Sequence, residues 1–407
     1  MENISTHRYN IGLIGPINPQ KFKNYIESGL DIKSINSSLA QIDLLCSTLL
    51  QNGHNVFVIT EDKDSEKDYI YKGDHLQICI IGTKKMHLLK YIKLRFIVSR
   101  KIERMVKLFP FADLWHAQWS YEYAYAIRRI KQPKVCTVRD WAPYMFALAN
   151  SKETFRGLVK KITWIPKLYM NSVVLNNNNF KLIANSDYTC TLLKGKYRKQ
   201  SPTTINNAIS LNEILKFRDE PFADFTIIAI SASLDNPLKN ITSLIDALLL
   251  LHQQDIKAKL VLIGNYDPNR GVYIKSKQMD ILDYIQFTGP LEHHELMCIL
   301  KKAHCLVHPS VEESFGNTLI EAMSKRIPVI GGKYSGAVPY VLKHGECGQL
   351  CDIKNPVEIS RAILNVYKNN SMISQMVAAA TDVVTQEYSE TVLYNKHIEV
   401  YRSVLGR

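Results

Sequence analysis

The sequence predicts an α/β fold with two Rossmann-like domains that face a ligand-binding cleft. Three observations lead to this class. The chain has 407 residues, which suits two domains of about 200 residues better than a single core. Short apolar runs rich in β-branched residues alternate with longer segments of helical periodicity, as in parallel sheets flanked by helices. This alternation occurs in both halves of the chain, so two such domains are expected.

The predicted strands are short and bounded by turn residues. In the first half they are Asn10–Ile14, Asn55–Thr60, Leu76–Ile81, Asp113–His116, Lys134–Val138 and Leu182–Ala184. In the second half they are Thr226–Ser231, Lys259–Ile263, Ile285–Thr288, Cys305–His308 and Pro328–Gly331. Helical periodicity marks Ala40–Gln51, Ile241–Gln253, His293–Ala303, Gly316–Lys325 and Pro356–Lys368. The carboxyl ends of such strands bind ligands, so we expect the site in the cleft between the domains.

Composition excludes several classes of protein. No stretch reaches the ~18 uninterrupted apolar residues of a membrane-spanning helix, and the N-terminus does not resemble a signal peptide. The eight cysteines are scattered, which is typical of buried free thiols in a reducing compartment. Cys347 and Cys351 have no second pair or histidine cluster nearby, so no metal site is expected. A cytoplasmic location is therefore predicted.

Positive charge is concentrated in the first half of the chain. Residues 1–200 hold 31 of the 51 Lys and Arg residues but only 16 of the 38 Asp and Glu residues. The densest segment, Lys84–Lys107, has nine basic residues and one acid among apolar residues. It suits an amphipathic helix on an anionic membrane, at its inner face, or a solvated helix whose apolar stripe packs on the core. Nucleic acid is not expected as a partner, because no nucleic-acid-binding motif accompanies the charge.

The segment Pro309–Met323 carries the clearest chemical signal. Strand Cys305–His308 leads into a loop, and Gly316 then opens a helix. The first turn of a helix presents unpaired amides and the positive end of its dipole, which can hold a diphosphate without a metal. Glu321, one turn further on, can accept hydrogen bonds from ribose hydroxyls. Glu313, in the loop, can reach the hydroxyls of a donor sugar.

This segment resembles the E-x7-E signature of glycosyltransferase family 4, whose members are retaining enzymes of the two-Rossmann-domain GT-B fold. Glu313 and Glu321 have the required spacing, with Ser-Phe-Gly between them. The resemblance implies a nucleotide-diphosphate sugar as donor, without a metal or other cofactor, and a catalytic role for Glu313. Residues expected at the donor are Phe315, Gly316, Asn317, Thr318, Leu319, Glu321 and, from the strand that flanks the base pocket, Gly264.

The resemblance extends over most of the chain. The loop Asp235–Asn240 is similar to the family's lysine-containing loop, so Lys239 is expected to neutralise charge on the leaving diphosphate. A polar linker near residue 205 separates an N-terminal acceptor domain, residues 1–205, from a C-terminal donor domain, residues 206–384. As in the family, the last helical stretch, about residues 385–407, is expected to return to the first domain.

Four features, one of them a residue pair, depart from the family pattern. Asn36-Ser37 stands where a glycine pair forms the first domain's phosphate loop, with Ser37 as the expected ligand contact. Ser233 and Tyr340 replace a common arginine and glutamate. Arg139 stands where the family has a histidine, and arginine cannot act as a general base because it stays protonated.

Arg139 can still donate hydrogen bonds to a sugar hydroxyl, an acceptor carboxylate or a phosphate. The family's proposed mechanism needs no base, because an oxygen of the leaving phosphate takes the proton. An ion pair with Asp140 is the structural alternative for Arg139. His116 is a possible substitute base, although such histidines are more often hydrogen-bonded core residues. Nearby aromatic residues suit either a sugar-stacking wall or packing: Trp115, Trp119, Tyr121, Tyr123 and Tyr125.

The leading hypothesis is a retaining transferase that moves a hexose from a nucleotide-diphosphate sugar to a glycan or lipid-linked acceptor in cell-surface polysaccharide synthesis. Two alternatives remain at this point. One is a nucleotide-sugar epimerase or hydrolase on the same fold, which needs acid–base groups that the sequence does not display. The other is a non-catalytic partner subunit that keeps the fold without the chemistry.

Overall fold

The computed structural model describes residues 7–35, 39–83, 88–140, 142–148, 155–197, 201–214, 220–368 and 370–406. The chain divides into two compact units. Unit 1 comprises Met1–Asn206 together with Glu390–Arg407, and unit 2 comprises Asn207–Ser389. The divisions at 206/207 and 389/390 lie one and about five residues from those proposed on the sequence.

Unit 1 contains an eight-stranded sheet in the order β3-β4-β2-β1-β5-β6-β7-β8. Its strands are β1 (Asn10–Ile14), β2 (Asn55–Asp62), β3 (Tyr69–Lys72), β4 (Leu76–Gly82), β5 (Leu114–Ala117), β6 (Lys134–Val138), β7 (Phe180–Ala184) and β8 (Thr203–Thr204). Its helices, apart from the last of the chain, are α1 (Ala40–Gln51), α2 (Leu88–Val106), α3 (Glu122–Ile127), α4 (Ala142–Leu148), α5 (Phe155–Leu175) and α6 (Asp187–Lys196).

Unit 2 contains a six-stranded, wholly parallel sheet in the order β11-β10-β9-β12-β13-β14. Its strands are β9 (Thr226–Ser233), β10 (Lys259–Asn265), β11 (Ile285–Gly289), β12 (Cys305–His308), β13 (Val329–Gly332) and β14 (Gln349–Cys351). Its helices are α7 (Leu211–Ile214), α8 (Ile241–His252), α9 (Gly271–Gln278), α10 (His293–Leu300), α11 (Asn317–Ser324), α12 (Val338–Val341), α13 (Pro356–Lys368) and α14 (Asn370–Glu387). The last helix, α15 (Glu390–Leu405), belongs to unit 1.

Both sheets have a point where the strand order reverses. In unit 2 this point lies between β9 and β12, and in unit 1 it lies between β1 and β5. Loops that leave the carboxyl ends of two such strands diverge to opposite faces of the sheet and leave a crevice between them. The fold therefore predicts one ligand crevice at the carboxyl edge of each sheet.

Burial explains why the central strands could be recognised from the sequence. All four residues of β12 are buried, as are the last four of β1. A parallel sheet covered by helices on both faces needs continuous apolar runs rather than alternation. The antiparallel edge strand β3 lacks this signal, because only one of its four residues is buried. It is absent from the predicted strands, as are the two- and three-residue strands β8 and β14.

Helix α15 closes the core of unit 1. Tyr401 is fully buried, and its hydroxyl lies 2.8 Å from Nδ1 of His116 on β5. A second contact joins the Tyr394 hydroxyl to Nε2 of His54 at 3.0 Å. These contacts explain why residues beyond unit 2 fold with the first half of the chain.

Helix α2 is the basic segment for which the sequence left two interpretations open. From Leu94 onward its apolar stripe packs in the core of unit 1, with Leu94, Val98, Ile102 and Val106 buried. This packing supports the structural interpretation for these residues. The opposite face exposes Lys93, Ile97, Arg100 and Arg104, so a basic surface remains. Residues 84–87 and the side chains of 88–92 lie outside the described part.

Two further properties concern the whole fold. Within the described ranges, no helix has both the length and the apolar character needed to cross a membrane. All eight cysteines are free thiols; seven are buried, and Cys298 is exposed.

Candidate functional site

The loops that follow β9 and β12 meet at the reversal point of the unit 2 sheet. Lys239 ends a 3₁₀ turn, Pro237–Lys239, after β9, and Glu313 lies between β12 and α11. The amide of Val311 donates to the carbonyl of Leu238 at 2.8 Å, which joins the two loops. The Lys239 ammonium contacts the Glu313 carboxylate directly. Two predicted site residues, 74 positions apart in sequence, therefore share one place.

Glu313 is held as an anion. His308 Nε2 lies 3.3 Å from its Oε1, and the other imidazole nitrogen, Nδ1, lies 3.1 Å from the Thr318 hydroxyl. Burial alone would raise the pKa of Glu313, but His308 and Lys239 outweigh it and lower that pKa to about 2. The carboxylate is thus charged at any physiological pH and can accept hydrogen bonds from hydroxyls.

The loop that carries Lys239 is fixed by side-chain contacts. Asn236 Oδ1 accepts from the amide of Leu238 at 3.2 Å, and Asn240, in the left-handed region with φ 51°, donates to the carbonyl of Ile353 at 2.7 Å. Asp235 accepts from the amides of Asp267 and Val272 at 2.9 and 3.0 Å. These contacts hold the turn that ends at Lys239, so the lysine is presented from a rigid loop.

His308, Asn236 and Asn240 were not among the residues proposed from the sequence. His308 ends a buried strand immediately before the Glu313 loop, and a polar residue at the carboxyl end of such a strand is a usable signal. Asparagine beside a proline turn is a signal for capping and the left-handed conformation. The contacts themselves are not visible in the sequence.

Helix α11 begins at Asn317, one residue after the glycine expected to open it. Gly316 is in the left-handed region with φ 91°, and a Cβ there would lie 2.9 Å from Leu319 Cδ1. Phe315 and Leu319 are buried, and the Phe315 ring packs edge-on against Tyr388 with centroids 5.6 Å apart. Their side chains anchor the turn in the core, so it is the backbone of this turn that is available to a ligand.

The remaining predicted donor residues have varied surroundings. Asn317 Oδ1 accepts from the Asn207 amide group at 2.8 Å, which ties α11 to the start of unit 2. Gly264 has φ 140°, and a Cβ there would lie 1.7 Å from the carbonyl oxygen of Ser231. Close approach of the neighbouring strand therefore accounts for this glycine. Ser37 lies outside the described residues.

Glu321 lies on α11, partly buried. Its pKa is raised to about 7, first by burial and second by the nearby Glu213 carboxylate, while Lys325 opposes both. Lys325 forms an ion pair with Glu213, in which its ammonium lies 3.2 Å from Glu213 Oε2. Within the described ranges, no hydrogen-bond donor meets the Glu321 carboxylate, which leaves it available to ligand hydroxyls.

This raised pKa predicts a pH-dependent stability. A carboxyl group with a pKa of 4.5 when unfolded and about 7 when folded contributes stability below pH 4.5, which is lost as the pH rises through 7. Replacing Glu321 with Gln removes that loss. We expect the melting temperature of E321Q minus that of the wild type to increase between these pH values and then level off. Thermal melts across the range, with the exposed-residue variant E346Q as control, check this; a constant difference would contradict it.

In unit 1, Arg139 and Asp140 follow β6 and take different partners. The Arg139 guanidinium donates to Gln118 Oε1 from Nη2 at 2.6 Å and from Nε at 3.2 Å. Asp140 accepts from the Tyr121 hydroxyl at 2.6 Å. Burial lowers the pKa of Arg139 to about 10, so it stays charged at neutral pH. The expected catalytic role of Arg139 stays a prediction.

His116 is a core residue. It is fully buried, and its Nε2 lies 2.8 Å from the Thr137 hydroxyl while Nδ1 meets Tyr401. Burial, the largest cause, holds the pKa of His116 well below its usual range. With both nitrogens engaged in the core, it does not meet the requirements of a substitute base. Of the aromatic cluster, Trp115, Tyr121 and Tyr123 are buried, and Trp119 and Tyr125 are partly buried.

A metal is not part of the donor machinery proposed from the sequence. In the described part of the chain, no group of three or more His, Cys, Asp or Glu side chains could hold a metal ion. The expectation of a metal-free site stays a prediction.

Comparison with known proteins identifies a family that matches unit 2 and relatives that match part of the chain. Residues 213–383 match the family described as glycosyl transferases group 1. Over 151 residues, 37% of this chain, it is 25% identical to the N-acetyl-alpha-D-glucosaminyl L-malate synthase of Bacillus anthracis. Over 126 residues, 30% of this chain, it is 32% identical to the MMP alpha-(1->4)-mannosyltransferase of Mycolicibacterium hassiacum. The matches span 39% and 30% of the length of these two relatives.

Solved structures share the fold over nearly the whole chain. Sucrose-phosphate synthase from Thermosynechococcus elongatus superposes with a TM-score of 0.75 at 16% identity, covering 98% of this chain and 100% of that one. The Anabaena protein HepE, solved in complex with UDP and glucose, gives a TM-score of 0.68 at 15% identity over 97% of this chain and 100% of that one. The expected fold of two Rossmann-like units is confirmed.

Proposed function

We propose that this chain, whose residues 213–383 match the glycosyl transferases group 1 family, is a retaining glycosyltransferase of the GT-B fold. The reaction moves a hexose from a nucleotide-diphosphate sugar to a hydroxyl of a glycan or lipid-linked acceptor. The observation that carries the proposal is the direct contact between Lys239 and Glu313 at the reversal point of the unit 2 sheet. That position is where open α/β sheets bind nucleotide ligands.

Lys239 is the cation for the leaving diphosphate. An ammonium group has three N–H donors, and the contact with Glu313 uses one of them. The other two remain to meet phosphate oxygens as negative charge develops on them. Glu313 holds the lysine in place, and its charged oxygens accept hydrogen bonds from hydroxyls of the transferred sugar.

Helix α11 supplies the rest of the donor site. Its first turn follows the left-handed Gly316, and its amides and dipole favour a diphosphate without a metal. Glu321 lies farther along the same helix and accepts hydrogen bonds from the two ribose hydroxyls. The complexes of HepE with UDP and glucose support this class of donor.

In unit 1, Arg139 is proposed to donate to a sugar hydroxyl, an acceptor carboxylate or a phosphate. It stays charged at neutral pH, so it stabilises negative charge without taking a proton. The acceptor hydroxyl attacks on the face from which the diphosphate leaves, and an oxygen of that phosphate takes the proton. The exposed basic face of α2 supports a membrane-associated acceptor, at an anionic surface inside the cell, in cell-surface polysaccharide synthesis.

The donor site can be tested by ligand-induced stabilisation. UDP-, GDP- and ADP-sugars are screened for a rise in the melting temperature of the protein. A ligand present at a hundred times its Kd raises the free energy of unfolding by about 2.7 kcal/mol. At least one of these sugar nucleotides is expected to stabilise the protein to the same extent with and without EDTA. The same compound should release its nucleoside diphosphate when the enzyme is given an extract of lipid-linked glycans. K239M should weaken binding of that nucleoside diphosphate about tenfold, because one charge-assisted contact is lost.

The matched control is K275M. Lys275 also forms an ion pair in unit 2, with Asp246 at 2.6 Å, which joins α9 to α8 and includes neither Lys239 nor Glu313. Its removal should leave nucleotide binding unchanged. Failure of every sugar nucleotide to stabilise the protein, or equal weakening by both variants, would count against the proposed donor site.

A further inference from the structure

Unit 1 has a pocket of its own at the carboxyl edge of its sheet. Its walls come from residues that follow β1, β2, β5 and β6, which are the four strands around the reversal point, together with residues of α2, α3 and α5. The cavity volume is about 190 Å³. This is below the range of about 300–1,000 Å³ for drug-sized ligands, so the cavity suits one small ring.

Glu122, the first residue of α3, has one carboxylate oxygen without a partner. Its Oε1 accepts from Nη1 of Arg95 at 2.6 Å. Its Oε2 is buried and has no hydrogen-bond partner among the described residues, and the whole side chain is only 8% exposed. Leaving a buried polar atom unpaired is unfavourable, and most such atoms in folded proteins have a partner. A ligand that donates a hydrogen bond would supply one.

The other carboxylates in the pocket already have partners. Glu61 accepts from the Thr83 hydroxyl and lies 3.7 Å from Arg95. Asp140 accepts from Tyr121. Among the three described acids of the pocket, Glu122 alone has a carboxylate oxygen that is both buried and without a hydrogen-bond partner.

The charge of the pocket is balanced. Three acidic residues face three basic ones in its walls, namely Glu61, Glu122 and Asp140 against Lys63, Arg95 and Lys167. A balanced wall gives little net attraction to a phosphate or to an ammonium group. It does offer donors and acceptors on every side, which suits a neutral molecule with several hydroxyls.

Aromatic side chains complete the lining. Trp119 and Tyr123 both face the pocket, with ring centroids 6.0 Å apart, and Trp119 is only partly buried. Lys167 lies 4.4 Å from the centroid of the Trp164 ring, so a cation–π contact holds this lysine against the wall. The partly buried Trp119 ring, beside polar acceptors, provides a surface for the C–H face of a sugar.

We propose that this pocket binds a neutral pyranose ring of the acceptor, with one sugar hydroxyl donating to Glu122 Oε2. The inference rests on the proposed function for the identity of the ligand as an acceptor. The acceptor would then carry an uncharged sugar, rather than a sugar with a free amino group or a phosphate.

The test measures binding of simple sugars to the full-length protein. Methyl α-glucopyranoside, methyl α-galactopyranoside and methyl α-mannopyranoside are titrated by saturation-transfer NMR, with glucosamine and glucose 6-phosphate as charged probes. At least one neutral glycoside should bind more tightly than both charged sugars. E122Q should weaken that binding about tenfold, since the amide presents a donor where the ligand needs an acceptor.

Asp68→Asn is the matched control. Asp68 also pairs with a basic residue of α2, Lys101 at 2.8 Å, but it lies outside the pocket. It should leave glycoside binding unchanged. A second variant, Trp119→Leu, removes the ring face and should also weaken binding, which keeps the test decisive if E122Q folds poorly.

Each outcome decides the matter. The proposal is overturned if no neutral glycoside binds, if a charged sugar binds more tightly, or if E122Q and W119L bind like the wild type. Thermal stabilisation by sugar nucleotides separates this result from the proposed function. Stabilisation without glycoside binding removes only the pocket, whereas glycoside binding without stabilisation by any sugar nucleotide removes the donor function.

Discussion

Glu313→Gln is expected to lower kcat by a factor of about 10²–10³ while the protein stays folded, the loss seen when one preorganised electrostatic contact is removed from an active site. Glutamine keeps the shape of the side chain but removes its charge. The Lys239 ammonium and His308 then lose the anion that both contact. The lysine is no longer held at the diphosphate, and the sugar hydroxyls lose a charged acceptor. The effect is measured as the rate at which nucleoside diphosphate is released at a saturating concentration of the donor.

The control for this variant is D246N. It also removes a carboxylate from a lysine pair in unit 2, the pair with Lys275, and it changes neither Lys239 nor Glu313. It should keep kcat within about twofold of the wild type, as expected of a surface ion pair of small energy. An E313Q protein that is folded and fully active would contradict the assignment. If the wild type is inactive with every donor and E313Q keeps its biological role, the result would favour the alternative of a non-catalytic partner subunit.

Tyr401→Ala is expected to destabilise unit 1 by about 3–5 kcal/mol, as for other buried aromatic side chains cut back to alanine. The Tyr401 ring is fully buried, and its hydroxyl pairs with His116. Truncation leaves a cavity between α15 and the sheet, and Nδ1 of His116 loses the tyrosine hydroxyl at 2.8 Å. Urea unfolding of the full-length protein, followed by tryptophan fluorescence and circular dichroism, measures the change in the free energy of unfolding.

Two further variants separate packing from hydrogen bonding at this position. Y401F removes only the hydroxyl and should cost about 1–3 kcal/mol, because the buried partner atom is left unpaired. Y169A truncates a tyrosine of the same unit that is 54% exposed and should change stability much less. Equal effects of Y401A and Y169A would show that α15 does not stabilise unit 1 through this contact.

The central strands and several helices could be predicted closely. β1, β6, β12, α1 and α13 have the predicted bounds. Their apolar runs are continuous or periodic over their whole length, and parallel strands buried on both faces produce such runs. The 21-residue helix α5 and the 18-residue α14 were not anticipated. Proline inside α5, at Pro166, argues against a helix locally, and tertiary packing overrides that preference.

Of the residues proposed for the donor site, Lys239 and Glu313 are in direct contact in the structure, and their roles at the donor stay predictions. Phe315 and Leu319 were expected at the ligand, yet their side chains are buried core anchors. A motif specifies spacing along the chain, and the side of the helix that faces the core depends on the packing around it. His308 and the Glu122 carboxylate were not singled out, because their importance lies in contacts with distant residues.

The sequence by itself determined the alternation of strands and helices and the spacing of Glu313 and Glu321, because both are local properties of the chain. The tertiary structure decided which groups meet. The order of the strands brings Lys239 to Glu313, and the packing of α15 places Tyr401 against His116. The same folding leaves one oxygen of Glu122 without a partner among the described residues. Contacts of this kind join residues many positions apart, and the energies of burial and hydrogen bonding that select them exist only after the sheets have formed.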